Sequence, residues 1–366
     1  MVTTLDRMFF WAFVRSYIFV GVSFISLFIV IDLFTHLDAY VNRPGGWWTV
    51  VQHIAHYYLV RLPQVFDFMA EAITLMAATF TVAWMLRNNE LLPQLSAGIP
   101  TRRVIRPVLL SALMTLLLPP LNQEFVIPEL ADQLMTSRDD PEGAKAQILL
   151  GAFDSSGIHL EGQAGYRKDK RIEWLYVTFP EHSPGGMVHL VAAEAFYIPP
   201  GDGPLTGGWL LINSTPDSFP GPTPLHLTVL GPGRFFLKVE TANFDAVNRG
   251  NTWYVHAATS RLYELLTSSE GRRQEKMAVL FHTRLTRPLV GALLVLLGVA
   301  VILWNPQRHV VLSAGLCVVI GAGFYVCVVG CKALGDAEYI TPPLAAWLPV
   351  LFYGPLAMVA YDAMHT

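Results

Sequence analysis

Six stretches of this sequence are apolar for long enough to cross a lipid bilayer, and that feature leaves few folds open. A helix traversing the hydrocarbon core needs about 20 such residues, because its backbone groups must be hydrogen-bonded internally there. The runs are Tyr17 to Phe34, Tyr57 to Leu86, Val104 to Leu121, Pro288 to Trp304, Val310 to Cys331 and Pro343 to Tyr361. Only 14% of the 366 residues are charged, against about 25% in ordinary soluble chains. No small-residue cleavage site follows the first run, which reads as a retained span rather than a signal peptide. Six spans place both ends of the chain on one side.

Short-loop arginines give the orientation. Arg7, Arg15, Arg87, Arg102, Arg103, Arg106 and Arg308 fall on one side, with only Arg43 and Lys332 on the other. The arginine-rich side is expected to be cytoplasmic, so the long gap between the third and fourth spans faces outward. That gap, residues 122–276, contains short β-rich pieces at Ile158–Gly162, Arg171–Phe179, Met187–Ile198, Gly208–Asn213, Leu225–Leu230 and Arg234–Glu240. Gly- and Pro-rich breaks separate them, the pattern of a β-sandwich or jelly roll. Ala257 to Thr267 reads as a helix leading back to the membrane. The expected layout is a half of three spans (1–121), an inserted all-β domain (122–276) and a second half of three spans (277–366).

Several chemistries find no support. The net charge of −3 gives no footing for a nucleic-acid partner. Neither a phosphate-cradling G-x-x-x-x-G-K-[ST] loop nor the H-E-x-x-H and G-x-S-x-G catalytic patterns occur. Cys317, Cys327 and Cys331 share one apolar run and read as packing residues, not a disulfide framework or a metal site. His159, His182, His189 and His226 in the outer domain could converge but read as ordinary strand and loop histidines. No catalytic residue, resident cofactor or metal is expected.

Charges inside apolar runs are a sharper signal, because lipid tolerates them only beside a cavity or a partner. Asp67 and Glu71 are four apart, on one helix face. They could serve a proton relay, or be solvated near the outer surface, with Arg61 close enough in sequence to neutralise one. In the fifth run Ser313, Cys317 and Gly321 form a small-x-x-x-small series, suited to close packing within the chain or against another subunit.

Between the second and third runs stands Arg87-Asn88-Asn89-Glu90-Leu91-Leu92-Pro93-Gln94-Leu95-Ser96-Ala97-Gly98-Ile99-Pro100-Thr101-Arg102-Arg103. Leu91, Leu92 and Leu95 at helical spacing, a glycine stop at Gly98 and Pro100 beyond it predict a short amphipathic helix over about 88–98. This segment resembles the cytoplasmic "E-L-x-x-x-x-x-x-G" element of lipopolysaccharide-export permeases of the LptF/LptG type. Four further matches follow in register: Leu5-Asp6-Arg7, Asn122-Gln123-Glu124-Phe125-Val126-Ile127-Pro128, His282-Thr283-Arg284-Leu285-Thr286-Arg287-Pro288-Leu289, and Pro342-Pro343-Leu344-Ala345-Ala346-Trp347-Leu348-Pro349.

The resemblance implies a multi-pass inner-membrane permease of a bacterial ABC transporter, with cytoplasmic termini and its β domain in the periplasm. It implies a homologous subunit or second copy as partner and a separate cytoplasmic ABC ATPase dimer (LptB-like) that binds the ATP. Bridge proteins (LptC/LptA-like) would receive the lipopolysaccharide or related glycolipid. Glu90, Leu91, Leu92, Leu95, Ser96, Ala97 and Gly98 would form the helix that docks on the ATPase. Spans one and five would gate the lipid cavity, making Phe24, Phe28, Asp32, Arg61, Cys317, Gly321, Phe324 and Tyr325 the candidate lining. One departure stands out: Asp32, His36, Asp38, Asp67 and Glu71 lie where family members often carry cations, and carboxylates repel lipid phosphate. Two other classes remain open on the residues: a proton-coupled secondary lipid transporter using Asp67 and Glu71, and a scaffold whose spans only anchor the β domain.

Overall fold

The computed structural model describes the chain except residues 1–3, 42–45, 136–142, 144–145, 148, 150, 182–185, 202, 204, 219–222, 225, 248–252, 268–274, 305–309 and 364–366. Arg43, Arg308 and His182 therefore lie outside the described residues. The chain separates into two compact units, Met1–Ala131 with Val255–Thr366, and Asp132–Tyr254. The β unit is thus narrower than residues 122–276; segments on both sides of it pack with the helices.

The first unit opens with α1 (Thr4–Thr35), α2 (Asp38–Val41), α3 (Trp47–Arg87), α4 (Leu91–Ser96), α5 (Thr101–Thr115) and α6 (Leu118–Leu121). A π-helical turn at Asn122–Val126 follows. The 41 residues of α3 make a rod of about 60 Å, about twice the thickness of a hydrocarbon core. Pro119 and Pro120 lack the amide donors that a continuous helix needs. The third span therefore breaks between α5 and α6, then continues helically to Val126.

After the β unit come α9 (Thr259–Thr267), α10 (Glu275–Trp304), α11 (Val310–Asp336) and α12 (Pro342–Asp362), α7 (Ala131–Leu134) and α8 (Phe244–Val247) being short turns before them. Among the described residues, six helices are long and apolar enough to cross a membrane. Their main core joins Phe9 and Phe13 of α1, Ala77, Ala78 and Val82 of α3, Val104, Ile105 and Val108 of α5, and Val295 and Val299 of α10. Small residues set how closely these helices approach. A Cβ on Gly298 would meet Leu75 Cδ1 at 2.4 Å, so glycine is what lets α10 seat against α3.

In the second unit, β1 (Ala152–Phe153), β2 (His159–Tyr166), β3 (Arg171–Thr178), β4 (His189–Ile198), β5 (Gly208–Thr215), β6 (Leu227–Gly231) and β7 (Arg234–Lys238) form one antiparallel sheet. Its order is β1-β2-β3-β4-β5-β7-β6. The core lies on one side, around Leu160, Ile172, Leu175, Val177, Leu190, Trp209, Leu211, Phe235 and Phe244. Buried positions do not simply alternate. They run 160, 162, 165 on β2, 172, 175, 177 on β3, 190, 192, 195 on β4, and 208, 209, 211, 214 on β5. The skip occurs on one row, where Gln163, Trp174, Ala193 and Asn213 stand opposite one another between intact pairs. Trp174 and Asn213 take φ of 54° and 53° there, a left-handed conformation that interrupts the pleat. Along this crease the inward-facing parity inverts, and one sheet keeps both of its halves facing the same core.

Asp154 ties the sheet to the segment after β7. Its Oδ1 accepts from the amides of Glu240, Thr241 and Ala242 at 2.9, 2.8 and 3.1 Å, and its Oδ2 accepts from Ser156. Burial alone would raise its pKa, but the hydrogen bonds from Ser156, Thr241 and Ala242 outweigh it and hold the carboxyl well below the usual range. A depressed folded pKa contributes stability that is full above the unfolded value of about 3.9 and lost as pH falls below it. Amide exchange at Glu240–Ala242 is therefore expected to accelerate as pH drops from about 4 toward 2, after correction for intrinsic rates. Asp154→Asn should show fast exchange already at neutral pH; identical protection in the two proteins would refute this role.

Candidate functional site

Two tight helix ends mount the short α4 between the second and third spans. At the end of α3, Glu90 N donates to Met85 O at 3.0 Å and Asn89 N to Leu86 O at 3.1 Å, with Asn89 at φ 56°. At the end of α4, Ile99 N donates to Gln94 O at 3.0 Å and Gly98 N to Leu95 O at 2.9 Å, with Gly98 at φ 79°. Both are Schellman turns, in which a left-handed residue lets two amides fold back on orphan carbonyls. Pro100 then takes ψ 147° and starts α5.

This mount divides the three leucines. Leu91 is buried, and half-buried Leu95 and Ile99 pack on the chain's own core. Leu92 is 61% exposed, and Pro93, Ser96, Ala97 and Gly98 are exposed around it, while Glu90 is half-buried. The expected single apolar face is therefore two faces. Leu91 and Leu95 seat α4 on the bundle, and Leu92 with its small neighbours looks outward.

The gate candidates also separate. α1 and α11 are the least enclosed spans, with 6% and 17% of their most apolar windows buried, against 61% for α3. On α1, Phe24 and Phe28 are half-buried, and Asp32 Oδ2 accepts a 2.7 Å hydrogen bond from Tyr58. On α11, Cys317 is buried beneath Gly298 O, a Cβ on Gly321 would lie 3.2 Å from Leu75, and the Phe324 ring lies tilted 4.4 Å from that of Tyr353. These three serve packing within the chain. Tyr325, 51% exposed, faces away from that core with its ring edge toward Phe68.

The carboxylates on α3 have a partner other than Arg61. Arg287 of α10 donates through Nη1 to Asp67 Oδ2 at 2.8 Å and through Nη2 to Glu71 Oε2 at 3.2 Å. Its Nε also reaches Glu71 Oε1, and Nη2 the Asp67 carbonyl. Asp67 Oδ1 stays buried without a partner among the described residues. Arg61 instead lies 4.4 Å over the Tyr57 ring. Sequence distance misled here: Arg61 is six residues from Asp67, but the helix turns it to another face, while Arg287 arrives from 220 residues away.

The two motifs flanking the β unit prove to be clamps. Asn122 Nδ2 donates to Pro63 O at 2.8 Å, and Glu124 accepts from the amides of Thr259 and Ser260 at 2.8 and 3.3 Å, capping α9. Arg284 donates to the carbonyls of Val255 and Ala257, each at 2.6 Å. Burial, with Arg61 and Arg284 nearby, pushes the His256 imidazole below its ordinary pKa and favours its neutral form. In the β unit, His159 and His189 both flank Thr178 across strand pairs, and His189 Nδ1 lies 2.9 Å from Thr178 Oγ1. Among the described residues no group of three or more His, Cys, Asp or Glu is placed to hold a metal ion.

A family model described as "Lipopolysaccharide export system permease LptF/LptG" matches residues 7–158 and 226–362, most of the chain. The unmatched stretch between them carries β2 to β5. A search of curated proteins finds no significant match.

Proposed function

Because this chain belongs to the lipopolysaccharide export permease LptF/LptG family, we propose that it is one half of the transmembrane unit of an ABC exporter. It takes lipopolysaccharide or a related glycolipid from the inner membrane and passes it to a periplasmic bridge. A separate ATPase dimer docks on the outward face of α4, and a homologous subunit or second copy completes the lipid cavity. The observation that carries this reading is α4 itself. A two-turn element fixed at both ends, with its inner leucines anchored and Leu92 left 61% exposed, is built to receive force from outside the chain. The low enclosure of α1 and α11 supports their role as the walls of a shared cavity, with Phe24, Phe28 and Tyr325 toward acyl chains. Asp67 and Glu71 are held by Arg287, which favours this reading over a proton relay.

Leu92→Asp tests it. The variant should insert normally, since Leu92 supports no core, yet lose the co-purifying ATPase by at least about tenfold, the effect of burying an unpaired charge in a docking groove. Leu91→Asp should instead reduce the amount of folded permease. Unchanged ATPase recovery with Leu92→Asp would remove the docking role.

A further inference from the structure

Immediately beyond α4, two adjacent arginines at the start of α5 reach in different directions. Arg102 Nη2 donates to Asp362 Oδ1 at 2.9 Å and to the carbonyls of Asp362 and Tyr361 at 3.0 and 3.3 Å. Its guanidinium also lies 4.8 Å over the Tyr361 ring. The last turn of α12 is thereby closed by a cation on its free carbonyls, the end of a helix where positive charge is favoured. Arg103 Nη2 donates to Asp6 Oδ2 at 3.3 Å, on the first turns of α1. Successive helical residues project about 100° apart, and that angle lets neighbours grip two different helices.

We propose that Arg102 and Arg103 are positioning residues that carry a displacement of α4 to the first and last helices together. This rests on the reading of α4 as the ATPase contact. α5 follows α4 after only Ala97 to Pro100, a segment fixed by the Gly98 turn and Pro100, so a push on α4 moves the root of α5. α1 is one of the two least enclosed spans. Without the fork, α4 would still bind the ATPase, but its motion would spread into the nearby apolar contacts, which can slide. Each link is half-exposed, with side-chain exposures of 32% and 75% for Arg102 and Asp362 and 41% and 17% for Arg103 and Asp6. Such pairs are individually weak, so the effect is on transmission rather than on folding.

The test uses the whole purified transporter in liposomes containing lipopolysaccharide. Arg102→Gln and Arg103→Gln should keep the co-purifying ATPase and its hydrolysis, while lipopolysaccharide extracted per ATP falls about fivefold in each. Arg106→Gln, an exposed arginine one turn on, should change nothing. The exchange Asp6→Arg with Arg103→Asp should restore extraction, a rescue that loss of fold would not permit. Full extraction in both single variants, loss of the ATPase from either, or failure of the exchange to restore would each overturn the fork. If the unaltered protein carries no ATPase, the docking reading fails instead, and the two failures are told apart.

Discussion

Arg287→Met is expected to destabilise the helical unit by about 3–5 kcal/mol, the range for removing one partner of a buried ion pair. The arginine answers two carboxylates at once, holding Asp67 and Glu71 of α3 from α10. Removing it strands two negative charges one helical turn apart among apolar side chains, where like charges repel and water is scarce. Thermal denaturation in detergent should show a large fall in the midpoint. The triple variant Arg287→Met, Asp67→Asn, Glu71→Gln should recover much of the loss, because it leaves no unpaired charge. A relay would behave in the opposite way, with the triple variant stable but inert in transport. Transport retained by the triple variant would establish the cluster as a structural lock.

The second large effect is expected in the β unit. Trp209 is fully buried, its Nε1 donates to Ala242 O at 2.9 Å, and its ring meets Tyr197 and Phe244 at 5.3 and 6.2 Å. Trp209→Ala should cost about 3–5 kcal/mol in lost packing, with about 1–3 kcal/mol more for the stranded Ala242 carbonyl. Domain stabilities are only about 5–15 kcal/mol in total, so much of the unit should open. Limited proteolysis of membranes should then cut within residues 132–254 while both helical halves survive. Resistance equal to that of the unaltered protein would mean the core closes around the gap.

The parts legible in the sequence are those governed by local physics. Apolar length marks the six spans, and Gly98 with Pro100 announces a helix stop that the geometry at Ile99 and Gln94 carries out. Glu124 and Arg284 stood out in motifs without a stated role, because their partners are backbone groups that composition does not reveal. The partner of Asp67 was hidden for another reason. Its distance along the chain exceeds any helical period, although opposite charges within apolar runs must find one another and Arg287 borders the fourth run. Likewise the division of Leu91 from Leu92 needed the position of α4 on the bundle. Spacing fixes which leucines share a stripe, not which neighbours claim them.

The crease through Gln163, Trp174, Ala193 and Asn213 binds four strands to a common length. Losing one residue from β3 at Trp174 would restore simple alternation in that strand while its neighbours kept their skip. Held in register with those neighbours, everything beyond the deletion would move up one place, putting Ile172 in the outward position of Glu173 and Arg171 in the buried position of Ile172. Tolerated changes at this line must therefore come in pairs of residues, or in all four strands at once.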